Sequence, residues 1–133
     1  MPGPGTMSDF ERGDAIRREV LGDAYVNRAG PGATELAQMW RRFATEASWG
    51  KIWARPGLEL KTRSLCTIAA LVALGDAREL RTHLRGALNL GVEPSQLAEV
   101  FIQVAGYAGM SKAGSAFEIM NEVQSALQDE AEA

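Results

Sequence analysis

The chain has 133 residues, 46% of them hydrophobic, enough for one modest core rather than two. Its formal charge of −3, single histidine and single cysteine argue against a nucleic-acid partner, an internal disulfide and a His/Cys metal cluster. The longest apolar stretch, Leu65 to Leu74, is far short of the roughly 18 residues that a membrane span needs, so no membrane partner is expected.

Residues 1–7 lack the basic start and apolar middle of a secretory signal, and their Pro and Gly predict a flexible tail. Together with the lone Cys66, this fits a protein of the reducing cytoplasm. Ser8 and Glu11 have capping-box spacing and open a helix expected to end near Gly22, followed by a short segment, Asp23 to Arg28. Gly30-Pro-Gly32 then breaks the chain. Thr34 can cap the next helix, whose apolar stripe is Leu36, Met39, Trp40 and Phe43 and whose end is expected near Gly50. Trp49 and Trp53 flank a predicted loop that Pro56 and Gly57 force out of helical geometry.

A third helix, about Glu59 to Leu74, is apolar on most of its later turns and reads as largely buried. Asp76 caps a fourth helix stopped by Gly91. Pro94 starts a fifth, with Leu97, Val100, Phe101 and Val104 at core spacing. Ser111 starts a sixth, running to about Leu127. No stretch alternates in the manner of a strand, so the fold class is all-α: a single-domain bundle of about six helices with a central hairpin over 59–90. The domain spans 8–128, with an acidic tail at 129–133. So small a bundle has difficulty covering its apolar faces and is expected to form a homo-oligomer. Gly106 and Gly109 either admit a close backbone neighbour or end their helix.

Charge is unevenly spread: residues 1–50, 51–85 and 86–133 carry −1, +4 and −6. The basic middle either attracts a small anion or is a solvated helix face. Phosphate loops, nucleophile elbows and metal-ligand clusters are missing, so acid–base chemistry near neutral pH falls on His83. On its helix His83 sits at the edge of the stripe of Leu80, Leu84 and Ala87, a place that also suits a core or surface histidine. Glu79 favours its charged form, while Arg81 and Arg85 favour the neutral one. Arg63 and Arg55 are placed either to grip a carboxylate through paired N–H donors or to form salt bridges with Glu59 or Glu79. Cys66 reads as a small buried apolar side chain.

Taken together, Arg17-Arg-Glu-Val-Leu-Gly22, Trp49-Gly-Lys-Ile-Trp-Ala-Arg-Pro-Gly-Leu58, Thr62-Arg-Ser-Leu65, His83-Leu-Arg-Gly-Ala-Leu-Asn-Leu-Gly91 and Ala105-Gly-Tyr-Ala-Gly109 resemble the carboxymuconolactone decarboxylase family. The first two segments resemble its decarboxylase branch. Peroxidase-type relatives carry a Cys-x-x-Cys pair before the corresponding histidine, and Asp76-Ala-Arg-Glu79 has no thiol.

The resemblance implies decarboxylation of gamma-carboxymuconolactone to beta-ketoadipate enol-lactone in the protocatechuate branch of aromatic catabolism. It also implies assembly as a trimer or hexamer. No cofactor is implied, because the lactone ring can take up the electron pair left by CO2. The same resemblance implies Arg63 and Arg55 as carboxylate anchors and His83 as proton donor or oxyanion partner. Ser64 becomes a hydrogen-bond donor, and Trp49, Trp53 and Tyr107 the lining of the pocket. The alternatives are a family enzyme acting on another small lactone or carbonyl acid, and a non-catalytic oligomeric module that binds a small acid.

Overall fold

A computed structural model describes residues 5–133; residues 1–4 of the expected tail lie outside the described residues. These form seven α-helices and a π-helical segment, and no strand occurs among them, in keeping with the all-α expectation. The seventh helix arises because Asp23–Ala29, expected only as a short segment, is helical in its own right. The chain divides after Leu60 into two compact units.

The first unit comprises α1 (Asp9–Leu21), α2 (Asp23–Ala29), α3 (Glu35–Ala44) and the π-helical segment Thr45–Trp53. The capping box forms as its spacing predicts: the Glu11 N–H donates to Ser8 Oγ at 3.1 Å, and the Ser8 N–H donates to Glu11 Oε2 at 2.9 Å. Gly22 ends α1 at φ 89°, a conformation that suits glycine. Thr34 caps α3, accepting from the Ala37 N–H at 3.1 Å.

The chain beyond α3 departs from expectation. It winds on as a π-helix to Trp53, so both tryptophans stand on a helical segment and not on a loop. The change begins at Thr45, whose hydroxyl donates to the Arg41 carbonyl at 2.8 Å alongside its own backbone N–H. Gly50 stays inside this segment because α1 needs the space. A Cβ on Gly50 would collide with the Asp9 carbonyl oxygen, and one on Gly13 with the Thr45 carbonyl oxygen and, at 2.8 Å, the Gly50 nitrogen. The apolar stripe of α3 forms but is not covered: Leu36 is 77% exposed, and Met39, Trp40 and Phe43 are exposed with it.

The second unit comprises α4 (Leu60–Leu74), α5 (Ala77–Asn89), α6 (Pro94–Ala108) and α7 (Met110–Glu132). All four helices supply its core: Ile68 and Val72, Leu80 and Leu84, Leu97 and Phe101, Ala116 and Val123. Phe101 meets Phe117 edge-on, with ring centroids 5.1 Å apart. Val100 and Val104 pack against this core from the side, as their spacing predicts.

Three expectations are corrected here. Only Ser64, Ile68 and Val72 of α4 are buried, so the helix is not largely buried, and Cys66 is exposed rather than internal. The inward line of α4 is one residue wide at four-residue spacing, and Cys66 falls off it. Helix α7 does not stop near Leu127 but continues to Glu132, where Arg85 grips Glu130 through two bonds of 2.6 and 3.0 Å. It begins at Met110 after Gly109, whose φ of 105° ends α6. At Gly106 a Cβ would meet nothing within 4 Å among the described residues.

Candidate active site

His83 is set in place by ordinary helix chemistry. Asp76 accepts from the Glu79 N–H at 3.2 Å and fixes the start of α5, and the inward turn of Leu80, Leu84 and Ala87 then carries His83 to the core boundary. The residue is 8% exposed. Its Nε2 lies 3.9 Å from Glu79 Oε2, within ion-pair reach but beyond a hydrogen bond. Burial lowers the His83 pKa below its ordinary value, and Glu79 opposes this without reversing it, so the neutral imidazole dominates near pH 7. Arg81 and Arg85 are turned to α7, pairing with Glu122 at 3.0 Å and Glu130 at 2.6 Å. Desolvation, not the two arginines, holds the ring neutral.

Ser64 lies on the inward line of α4, four residues before Ile68, and is fully buried. Its hydroxyl has no hydrogen-bond partner among the described residues. Arg63 flanks it half-buried, with its Nε withdrawn from solvent, as is His83 Nδ1. The second unit therefore keeps the side chains of Ser64 and His83, and the Nε of Arg63, out of water. Such groups interact strongly with any charge that reaches them, because little solvent competes. Cavities of about 350 and 370 Å³ in this unit are lined by other residues.

The remaining sequence candidates are differently placed. Tyr107, at the end of α6, is 88% exposed. Trp49 and Trp53 belong to the first unit, where both are buried and stack with centroids 4.9 Å apart. Arg55 follows them and is exposed. Among the described residues no three His, Cys, Asp or Glu side chains converge in a group able to hold a metal ion.

Sequence reasoning missed Arg17. It is 4% exposed, and burial together with nearby Arg41 lowers its pKa. The available signal was the Arg17-Arg18 pair, one member of which falls at four-residue spacing from Gly13 and Leu21 on the buried face of α1.

Comparison with known proteins bears on the family to which the chain belongs. The model of the carboxymuconolactone decarboxylase family matches residues 34–122. The chain is 40% identical over 114 residues to 4-carboxymuconolactone decarboxylase of Acinetobacter baylyi, covering 86% of this chain and 85% of that protein. It is 36% identical over 120 residues to a nitrosuccinic acid decarboxylase of Metarhizium robertsii, covering 90% and 82%. An uncharacterized 15.0 kDa protein of Paracoccus denitrificans is 33% identical over 91 residues, 67% of this chain and 62% of that one. By sequence along most of its length and by its all-helical architecture, the chain belongs to the carboxymuconolactone decarboxylase family.

Proposed function

We propose that the chain decarboxylates gamma-carboxymuconolactone to beta-ketoadipate enol-lactone, without a cofactor, in the cytoplasmic breakdown of protocatechuate. The single observation that carries this reading is the 40% identity, over 86% of the chain, to a 4-carboxymuconolactone decarboxylase. The substrate is a five-membered lactone with a ring carboxylate and a carboxymethyl arm. When the ring C–CO2 bond breaks, its electron pair moves through the ring double bond onto the lactone carbonyl oxygen. A furanolate-like anion results, which a proton then quenches at carbon.

The protein's task is to hold a carboxylate, keep water away and stabilise the oxygen on which charge develops. Arg63 offers two parallel N–H donors to a carboxylate. His83 is buried and held neutral, and we assign its ring N–H to the developing oxyanion, which a neutral imidazole can serve without first losing a proton. The buried Ser64 hydroxyl is a second donor. Arg55, Trp49, Trp53 and Tyr107 are proposed as substrate contacts on the strength of the sequence resemblance. Residues 8–128 are taken as the family's helical domain. The exposed Leu36, Met39, Trp40 and Phe43 support assembly into a trimer or hexamer, in which such a stripe would be covered.

A second reading has its own support. The relative named for nitrosuccinic acid is nearly as similar, at 36% identity, so another small carboxylic acid is a competing substrate. The test is to incubate purified protein with freshly generated gamma-carboxymuconolactone while following CO2 release and enol-lactone formation. Stoichiometric appearance of both is expected. Turnover of nitrosuccinic acid alone would select the second reading, and binding without turnover would leave only a small-acid-binding module.

A further inference from the structure

The first unit carries an open cavity of about 860 Å³ lined by α1, α2, α3, the loop between the last two and Thr45 of the π-helical segment. Four arginines line it, Arg17, Arg18, Arg41 and Arg42, against two acidic residues, Asp14 and Glu35. Two of the arginines are already engaged. Arg18 donates to Asp14 at 2.9 Å, Asp23 at 3.1 Å and Asn27 at 2.8 Å. Arg42 pairs with Glu46 at 3.1 Å and lies 5.2 Å over the Phe10 ring. Asp14 is thereby committed to Arg18.

Arg17 and Arg41 are in a different position. Neither side chain makes a hydrogen bond or ion pair with a described residue, although Arg17 is 4% exposed and Arg41 is half-buried. An arginine cannot shed its proton to escape burial. Desolvating a guanidinium without an acceptor is costly, and a second cation close by adds to the cost. Both terms bear on Arg17, whose pKa is drawn down first by burial and then by Arg41, while Tyr25 and Asp14 oppose the shift without reversing it. An anion that met both guanidinium groups would relieve them together.

Phe10, Val26, Pro31 and Met39 give the same cavity apolar walls. A strongly hydrated inorganic ion would gain nothing from these, whereas a carbon skeleton would bury against them. A planar carboxylate also matches the paired N–H donors of a guanidinium. We propose that this cavity is a binding site for a small organic carboxylate, gripped by Arg17 and Arg41 and packed against Phe10 and Val26. The site is built entirely from the first unit, and Arg17 lies outside the residues matched by the family model. It shares no residue with the site of His83, Ser64 and Arg63, although Arg17 belongs to the segment that resembles the decarboxylase branch.

The experiment is a succinate titration of the intact, 15N-labelled chain, following the arginine Nε–H resonances, with inorganic phosphate as the comparison. Saturable shifts at Arg17 and Arg41 are expected with succinate, and binding at least about tenfold weaker in Arg41→Gln, the loss expected for a charge-assisted bond. Arg17→Gln should behave alike; should it fail to fold, Arg41→Gln decides alone. Arg78→Gln, at an exposed arginine outside the cavity, should bind succinate as the parent does. The proposal is overturned if neither resonance moves, if Arg41→Gln binds within about twofold of the parent, or if Arg78→Gln abolishes the response. A response to phosphate equal to that for succinate would overturn the organic-acid assignment.

Discussion

Each unit buries a nitrogen base, and the outcomes are opposite. In the second unit desolvation falls on an imidazole, which can give up its proton, so His83 becomes neutral and remains a hydrogen-bond donor despite Glu79 at 3.9 Å. In the first, desolvation falls on a guanidinium, which keeps its charge, and the nearby cation Arg41 adds to the cost, with Tyr25 and Asp14 opposing it without reversing it. The same physical cost thus produces a neutral donor in one place and a demand for an anion in the other. The units also cohere differently. The first is drawn together by glycines that bring α1 onto the π-helical backbone, the second by an aliphatic and aromatic core around Phe101.

The contrast in packing can be broken by substitution. Phe101→Ala removes a fully buried ring and should destabilise the second unit by about 3–5 kcal/mol, read as a lower urea midpoint. Gly50→Ala should cost about 3 kcal/mol, because the added methyl meets the Asp9 backbone rather than a movable side chain. Gly106→Ala sharpens the point: with open space around it in a helix, it should be neutral or stabilising by up to about 1 kcal/mol. A destabilised Gly106→Ala would mean that this position is covered by a partner.

The contrast in charge predicts a pH signature. His83 has a lowered folded pKa, so the unfolded chain binds more protons. Its contribution to stability is therefore fully present above about pH 6.5, the ordinary histidine value, and is lost as pH falls through the folded pKa. Thermal unfolding between pH 7.5 and 5 should show this loss in the parent and not in His83→Gln. A smaller effect is expected at the Arg85–Glu130 pair. Glu130→Ala should cost no more than about 1 kcal/mol, with part of that difference disappearing in about 1 M salt, since Glu130 is partly exposed.

What the sequence disclosed follows the range of the interactions involved. The caps at Ser8, Thr34 and Asp76 and the first-turn Pro94 act within four residues, so spacing alone locates α1, α3, α5 and α6. The passage of α3 into a π-helix was not legible, because the close approach of α1 to Gly50 joins segments distant in sequence and leaves no local pattern. Cys66 was misplaced because α4 is apolar on several faces, and composition cannot tell which faces a neighbour. His83 was found by elimination, as the only imidazole, but the cause of its neutrality was not, since Arg81 and Arg85 prove to be engaged by α7. Arg17 was overlooked because its burial is a property of three helices together.

The central claim is that a buried, neutral imidazole stabilises the charge released by decarboxylation. Steady-state turnover of gamma-carboxymuconolactone by His83→Gln, set beside its circular dichroism, tests this most directly. The expected result is a folded protein whose kcat has fallen roughly 100-fold or more. A folded His83→Gln with turnover close to the parent's would contradict it.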